Sequence, residues 1–203
     1  ATIHGILDSD LDEAGGIVQA LERLQEFRAR GAEIIVVDGG SGDATVRLAQ
    51  PLADCVTTAA RGRGAQMNAG AGKASGGILL FLHADTQLPP SAPDLIAAAI
   101  AGGARWGRFD VRIDGSSGGL ALVALMMNWR SRLTCIATGD QAIFVTREAF
   151  QACGGFPAIP LMEDIVFSDS LRRNARPACL QEKVTTSGRR WEKHGLLRTI
   201  LTM

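Results

Sequence analysis

Five apolar residues, Ile78 to Leu82, run unbroken between Gly76–Gly77 and the polar stretch His83, Ala84, Asp85 and Thr86, with Pro89 and Pro90 just beyond. A short continuous apolar run with glycine before it and proline after it predicts a strand buried on both faces. Its polar residues then arrive at the carboxyl end of a central strand. In open α/β sheets, ligands bind in the crevice beyond those ends. His83 and Asp85 are two apart, so on an extended segment they are expected to point the same way. The plainer alternative is that Asp85 only opens a turn, as Asp followed by Thr commonly does.

The flanking segments repeat the pattern. Thr2 to Leu7 is expected as a first strand, with Asp8, Ser9 and Asp10 as possible N-caps for the helix that follows. Leu11, Ala14, Ile17, Val18, Leu21 and Leu24 recur at helical spacing up to Gly31, which predicts a long amphipathic helix. Ala32 to Val37 reads as another strand and ends in DGGSGDAT, where Asp43 is placed to cap a helix carrying Val46, Leu48 and Ala49. Alternation of strand and helix is the signature of a parallel sheet.

Two hundred and three residues with 46% hydrophobic content suit one domain with a sizeable core. Lys plus Arg and Asp plus Glu both number 21, so no global field argues for nucleic acid. The four cysteines, Cys55, Cys135, Cys153 and Cys179, form no CxxC pair and read as free thiols of a reducing cytosol. Thr2 to Leu7 is too short and too interrupted for a signal peptide. The most apolar stretch, Leu120 to Met127, falls short of the roughly 18 residues that cross a bilayer. The expectation is a soluble cytoplasmic protein.

Cys55 to Thr58 is expected as a small strand before ARGRGAQMNAGAGK, where Arg61 and Arg63 precede a helix of small residues, Ala65 to Ala74. A basic, glycine-rich segment ahead of a helix N-terminus is a natural phosphate seat, because free N–H groups and the helix dipole both favour anions. A solvated basic loop is the alternative. Two known phosphate motifs fail here: Gly72 and Lys73 are followed by Ala74 instead of Ser or Thr, and Met67 stands where a dinucleotide fingerprint requires Gly.

Beyond the central strand, Ser91 to Ala101 reads as a helix capped by Ser91 or Asp94, and Trp106 to Ile113 as a strand. Leu120 to Leu133 reads as a core helix with a basic end, Arg130 and Arg132; a contact with an acceptor or with a membrane surface is the other reading. Ala142 to Val145 is expected as a strand, Arg147 to Cys153 as a helical turn, and Gly154 to Pro160 as a loop. MEDIVFSDSLRR then opens a helix with Glu163 and Asp164 at its amino end. One acid there is ordinary capping. Two adjacent acids after Ile159, Pro160, Leu161 and Met162 point to a partly enclosed site. Cys179, Leu180 and Val184 predict a last edge strand, followed by the basic, aromatic TSGRRWEKHG.

Together these residues resemble the family 2 glycosyltransferases of the GT-A fold. IIVVDGGSGDAT is similar to the family's VVDDGSTDGT, FLHADT to its DxD segment, and MEDIVFSDSLRR to its ED motif. GRGAQMNAGA, FLHADTQLP, GDQAIFV, GGFPAIPLMED and TSGRRW, in that order, resemble a bacterial subgroup. That subgroup is sometimes labelled as associated with radical SAM or selenodomain proteins, or with arsenosugar biosynthesis. Gly39 stands where the family usually has a second Asp, and His83 where the first Asp of DxD belongs. Asp12 and Glu13 are the nearest match to the family's pattern after the first strand.

The resemblance implies one GT-A domain over residues 1–203, with a donor nucleotide half to about residue 90 and an acceptor half after it. It implies inverting transfer of a glycosyl group from a nucleoside diphosphate sugar to a hydroxyl acceptor. Asp85 with His83 would hold Mg²⁺ or Mn²⁺ against the diphosphate. Asp38 would contact the nucleobase, and Arg61, Arg63, Arg189 and Arg190 would supply positive charge. Asp164 is the expected base, its proton affinity raised beside Glu163, with Asp140 and Gln141 also near the acceptor. His194 is a further metal candidate. Against these stand a turn-forming role for Asp38, surface roles for Arg189 and Arg190 with Trp191 anchoring their loop, and a structural His194. The alternatives in function are a nucleotidyltransferase of related fold and a nonenzymatic nucleotide-sugar binding module.

Overall fold

The computed structural model describes residues 3–9, 14–115 and 119–188. In chain order the regular elements are β1 (Ile3–Ser9), α1 (Ala14–Ala29), β2 (Glu33–Asp38), α2 (Thr45–Ala49), β3 (Cys55–Thr58), α3 (Arg63–Lys73), β4 (Ile78–His83) and α4 (Ala92–Ala101). They continue with β5 (Trp106–Asp114), α5 (Gly119–Thr134), β6 (Phe144–Thr146), α6 (Arg147–Ala152), α7 (Glu163–Arg172) and β7 (Ala178–Ser187). The strands form one sheet in the order β3-β2-β1-β4-β6-β5-β7. All neighbours pair in parallel except β6, which runs antiparallel to both β4 and β5.

Every residue of β4 is buried, as its unbroken apolar run requires. Period-two alternation then divides the core. Ile78, Leu80 and Leu82 pack with Ile17 and Leu21 of α1, Ile96 of α4 and Met127 of α5. Leu79 and Phe81 pack on the other face with Met67 of α3, Ala149 of α6 and Phe167 of α7. The result is a sheet between two helical layers. Close approach of α3 depends on Gly70: a methyl there would fall inside contact with Ile6 Cγ2 and 3.0 Å from Val37 Cγ2.

The sheet changes winding direction at β1, with β2 on one side and β4 on the other. Register aligns Ser9 with Asp38 and Asp8 with His83, so three carboxyl ends finish side by side. This is the switch point at which α/β sheets bind ligands.

Several boundaries differ from the sequence expectation. Helix α3 starts at Arg63 instead of Ala65, so Arg63 belongs to its first turn. Ser91 occupies the N-cap of α4 without a side-chain bond, and Asp94 instead receives Arg30 at 2.8 Å. Strand β6 begins at Phe144 because Ala142 adopts a left-handed conformation, with φ of 49°. Only one face of α5 enters the core, through Leu120, Val123, Ala124, Met127, Asn128 and Ser131. No helix among the described residues is long and apolar enough to cross a membrane.

Candidate active site

His83 closes β4 on the face of Leu79 and Phe81, and so enters the layer of α3 and α7. There it meets the Arg63 guanidinium, whose Nε lies 3.7 Å from Glu163 Oε1. Glu163 is 5% exposed, and its burial next to an arginine balances charge that would otherwise be costly. Asp164, the next residue, accepts the Gly139 N–H at 2.6 Å through Oδ2 and the Ile165 N–H at 2.7 Å through Oδ1. His83, Glu163 and Asp164 line one cavity with Gly139, Phe81 and Phe156. Its floor is aromatic, with Phe156 stacked on Phe167 at 4.0 Å and Phe81 edge-on to Phe156 at 4.8 Å.

The turn facing Asp164 is built by a reciprocal cap. The Gln141 N–H donates to the Thr138 carbonyl at 3.0 Å, while Gln141 Oε1 accepts from Thr138 N at 3.2 Å. Gln141 is fully buried, and its Nε2 donates to Asn128 Oδ1 at 3.5 Å. Asn128 itself brackets Val111, taking its N–H at 2.8 Å and donating to its carbonyl at 3.0 Å. Gln141 therefore braces the turn from within the protein, whereas Asp140 is half-buried on it. Strain gathers around this region: Ala142 and Met162, at the ends of the two segments that meet at Asp164, both have positive φ.

Asp85 is placed differently. The Thr86 N–H donates to the His83 carbonyl at 2.9 Å, so the chain turns immediately after β4 and the strand alternation ends. Exposed Asp85 lines a separate open cleft of roughly 350 Å³ with Arg23, Gln87, Asp114 and Thr186. His83 and Asp85 thus face two concavities, not the shared side that extended geometry implies. A metal ion ligated jointly by the two does not fit this arrangement. Asp85 alone, at an open cleft, does fit an ion held mainly by phosphate oxygens. Among the described residues, no group of three or more His, Cys, Asp or Glu side chains is gathered as a metal cage.

The donor-side residues cluster at the end of β2. Asp38, 1% exposed, accepts the N–H groups of Gly40 and Ser41 at 2.8 and 2.9 Å and the Ser41 hydroxyl. Its carboxylate shapes the turn that follows the strand. A side chain at Gly39 would meet Gln66 Nε2 at 2.9 Å, which places the Gln66 amide where a second acid would stand. Arg61 is exposed just ahead of α3. Arg189, Arg190, Trp191, His194, Asp12 and Glu13 lie outside the described residues.

Residues 11–131 match the family model described as glycosyl transferase family 2, which is more than half of the chain. The chain belongs to glycosyl transferase family 2. Two Mycobacterium tuberculosis proteins named uncharacterized glycosyltransferase MT1564 and Rv1514c are each 38% identical to it over 99 residues. The match covers 45% of this chain and 35% of theirs, so it spans about a third of those curated relatives. The fold is GT-A-like. S. aureus TarS 1-349 in complex with UDP-GlcNAc matches with a TM-score of 0.74 at 19% identity, over 93% of this chain and 59% of that one. Glucosyl-3-phosphoglycerate synthase from Mycobacterium tuberculosis, with Mn²⁺, UDP and glucosyl-3-phosphoglycerate, gives 0.66 at 20% identity, over 91% and 70%. Mannosyltransferase PcManGT from Pyrobaculum calidifontis, with GDP-Man and Mn²⁺, gives 0.65 at 22% identity, over 90% and 56%.

Within this family 2 chain, three site residues escaped the sequence reading: Gly139, Thr138 and Asn128. Two had a legible signal. Thr138 followed three residues later by Gln141 is a capping-box spacing. Asn128 is the one amide on the buried stripe of α5.

Proposed function

We propose that this chain transfers a glycosyl group, with inversion, from a nucleoside diphosphate sugar to a hydroxyl acceptor, and that Asp164 is the base. The observation that carries this reading is the fixed position of Asp164. A backbone N–H from a second segment holds the carboxylate in the lining of a cavity that His83 and Glu163 also line. In the proposed step the acceptor oxygen attacks the anomeric carbon and its proton passes to Asp164. The bond from that carbon to the diphosphate breaks, and its electron pair leaves with the phosphate.

The donor occupies the half of the protein up to about residue 90, beyond the ends of β1, β2 and β4, and the acceptor occupies the half after it. The Asp38 turn borders the nucleobase, and the N-terminus of α3 with Arg61 faces the diphosphate. Arg63, held between His83 and Glu163, keeps positive charge beside the leaving group. Asp85 is the residue to hold Mg²⁺ or Mn²⁺ together with the phosphates, and such an ion supplies charge neutralisation of the departing diphosphate. In this arrangement His83 positions Arg63. Arg189 and Arg190 are further candidates for the diphosphate, and the LHADT and MED segments support a likeness to the bacterial subgroup named above. The uridine and guanosine nucleotides carried by the similar solved structures support a nucleotide-sugar donor.

The test is a thermal-shift panel of nucleoside diphosphates with and without Mn²⁺. A nucleotide present at 100 times its dissociation constant stabilises by about 2.7 kcal/mol. The expected responders are UDP or GDP, more strongly with Mn²⁺. Identical melting across the panel overturns the donor assignment.

A further inference from the structure

Large apolar side chains exposed to solvent are confined to two places among the described residues. Five lie on α5, where Leu122, Leu125, Met126, Trp129 and Leu133 are between 56% and 72% exposed. The other four, Ile159, Leu161, Met162 and Val166, surround the start of α7. On α5 the spacing repeats every three or four residues, so the five form one stripe opposite the face that packs on β5. The stripe is about 16 Å long at 1.5 Å per residue. Scattered exposed leucines need no explanation, but a continuous apolar stripe marks a contact surface.

Charge around the stripe selects its partner. The sequence has no Asp or Glu from Gly115 to Gly139, while Arg130 and Arg132 fall in the second half of α5. At the end of that helix Arg172 donates to the Thr134 carbonyl at 3.0 Å. Two acids paired with arginines at this border are each outnumbered: Asp110 faces Arg108 and Arg132, and Asp169 faces Arg172 and Arg173. Nε and Nη2 of Arg130 are buried without a hydrogen-bond partner, so the positive charge open to solvent at this border is that of Arg132, Arg172 and Arg173. An apolar stripe with a central tryptophan and a surplus of arginine at its border is the pattern of a helix lying in a bilayer interface.

We propose that α5 docks this protein on the surface of an anionic phospholipid bilayer, with Leu122, Leu125, Met126, Trp129 and Leu133 entering the headgroup boundary. Arg132, Arg172 and Arg173, the arginines open to solvent at the ends of α5 and α7, meet lipid phosphates. The helix lies on the membrane and does not cross it. This docking is independent of the chemistry at Asp164.

The experiment is sedimentation of the whole 203-residue chain with vesicles of phosphatidylcholine, with and without phosphatidylglycerol, at low and high salt. Binding is expected only to the anionic vesicles, weaker at high salt, with a blue shift and loss of quenching of the Trp129 emission. A Trp129→Phe variant assigns that signal. The double variant Leu125→Ser with Leu133→Ser replaces exposed side chains only, so its circular dichroism and melting are expected to match the parent. Its vesicle affinity is expected to fall about tenfold or more. Failure to sediment with anionic vesicles, or undiminished sedimentation of a folded double variant, overturns the proposal. Light scattering that shows a dimer abolished by the same variant, without vesicle binding, assigns the stripe to a second copy and also overturns it.

Discussion

The backbone N–H of Gly139 donates to Oδ2 of Asp164 at 2.6 Å, joining the turn after α5 to the first residues of α7. The two segments also meet at Ser168, whose hydroxyl takes the Ala137 N–H at 3.1 Å. The carboxylate is therefore oriented by backbone, and its position follows from how well the turn is held.

Gly139 has no room for a side chain. A methyl group there would overlap the His83 imidazole. Gly139→Ala is expected to displace His83 or the turn, with an overpacking cost of about 1–3 kcal/mol. A denaturant melt reads that cost, and a loss of transfer activity larger than the fall in folded fraction would show that Asp164 has moved.

Asn128 supports the same turn from behind. Asn128→Ala leaves the buried N–H and C=O of Val111 without their partner and frees Gln141. Each unsatisfied buried group costs roughly 1–3 kcal/mol. A loss on the order of 3 kcal/mol in unfolding free energy is expected, and a variant as stable as the parent would remove Asn128 from this account.

On α7, hydrogen bonds from Arg173 and Arg172 hold the Asp169 carboxyl below its ordinary value of 3.8. A depressed folded value means that the contribution is fully present above the ordinary value and disappears as pH falls through the folded one. The group is exposed, so its effect is small. Asp169→Asn is expected to melt slightly below the parent at neutral pH and together with it in strong acid. Parallel melting curves at every pH would contradict the pairing.

Burial raises the Cys153 thiol above 9.0, against weaker opposing hydrogen bonds from the backbone. The thiolate is the reactive form, so Cys153 is expected to react slowly with disulfide reagents at neutral pH and to speed up only in alkali. Peptide mapping after timed labelling of the four cysteines checks this order.

Much of the fold was legible because local patterns agreed with it. The run from Ile78 to Leu82 identified the central strand, and the small residues of α3 matched its close packing at Gly70. The antiparallel entry of β6 was not legible, because three residues, Phe144 to Thr146, carry no mark of direction. The grouping of Glu163 with Asp164 at one cavity was legible from the MED segment, whereas the separation of His83 from Asp85 was not. Strand alternation holds only while the strand continues, and β4 ends at His83, two residues before Asp85, in the turn closed by the Thr86 N–H. The role of Gln141 was hidden for another reason: a polar residue in a polar turn reads as exposed, and only packing against Asn128 shows it buried.

The central claim is that Asp164 accepts the acceptor's proton as sugar leaves a nucleoside diphosphate. Parent and Asp164→Asn should be incubated with UDP- and GDP-sugars, Mn²⁺ and a panel of hydroxyl acceptors, and the released nucleotide measured. The account expects nucleoside diphosphate from the parent and about 10²- to 10⁴-fold less from the variant, with its nucleotide-induced thermal shift unchanged. Pyrophosphate release, binding without turnover across the panel, or an Asp164→Asn variant as active as the parent would contradict it.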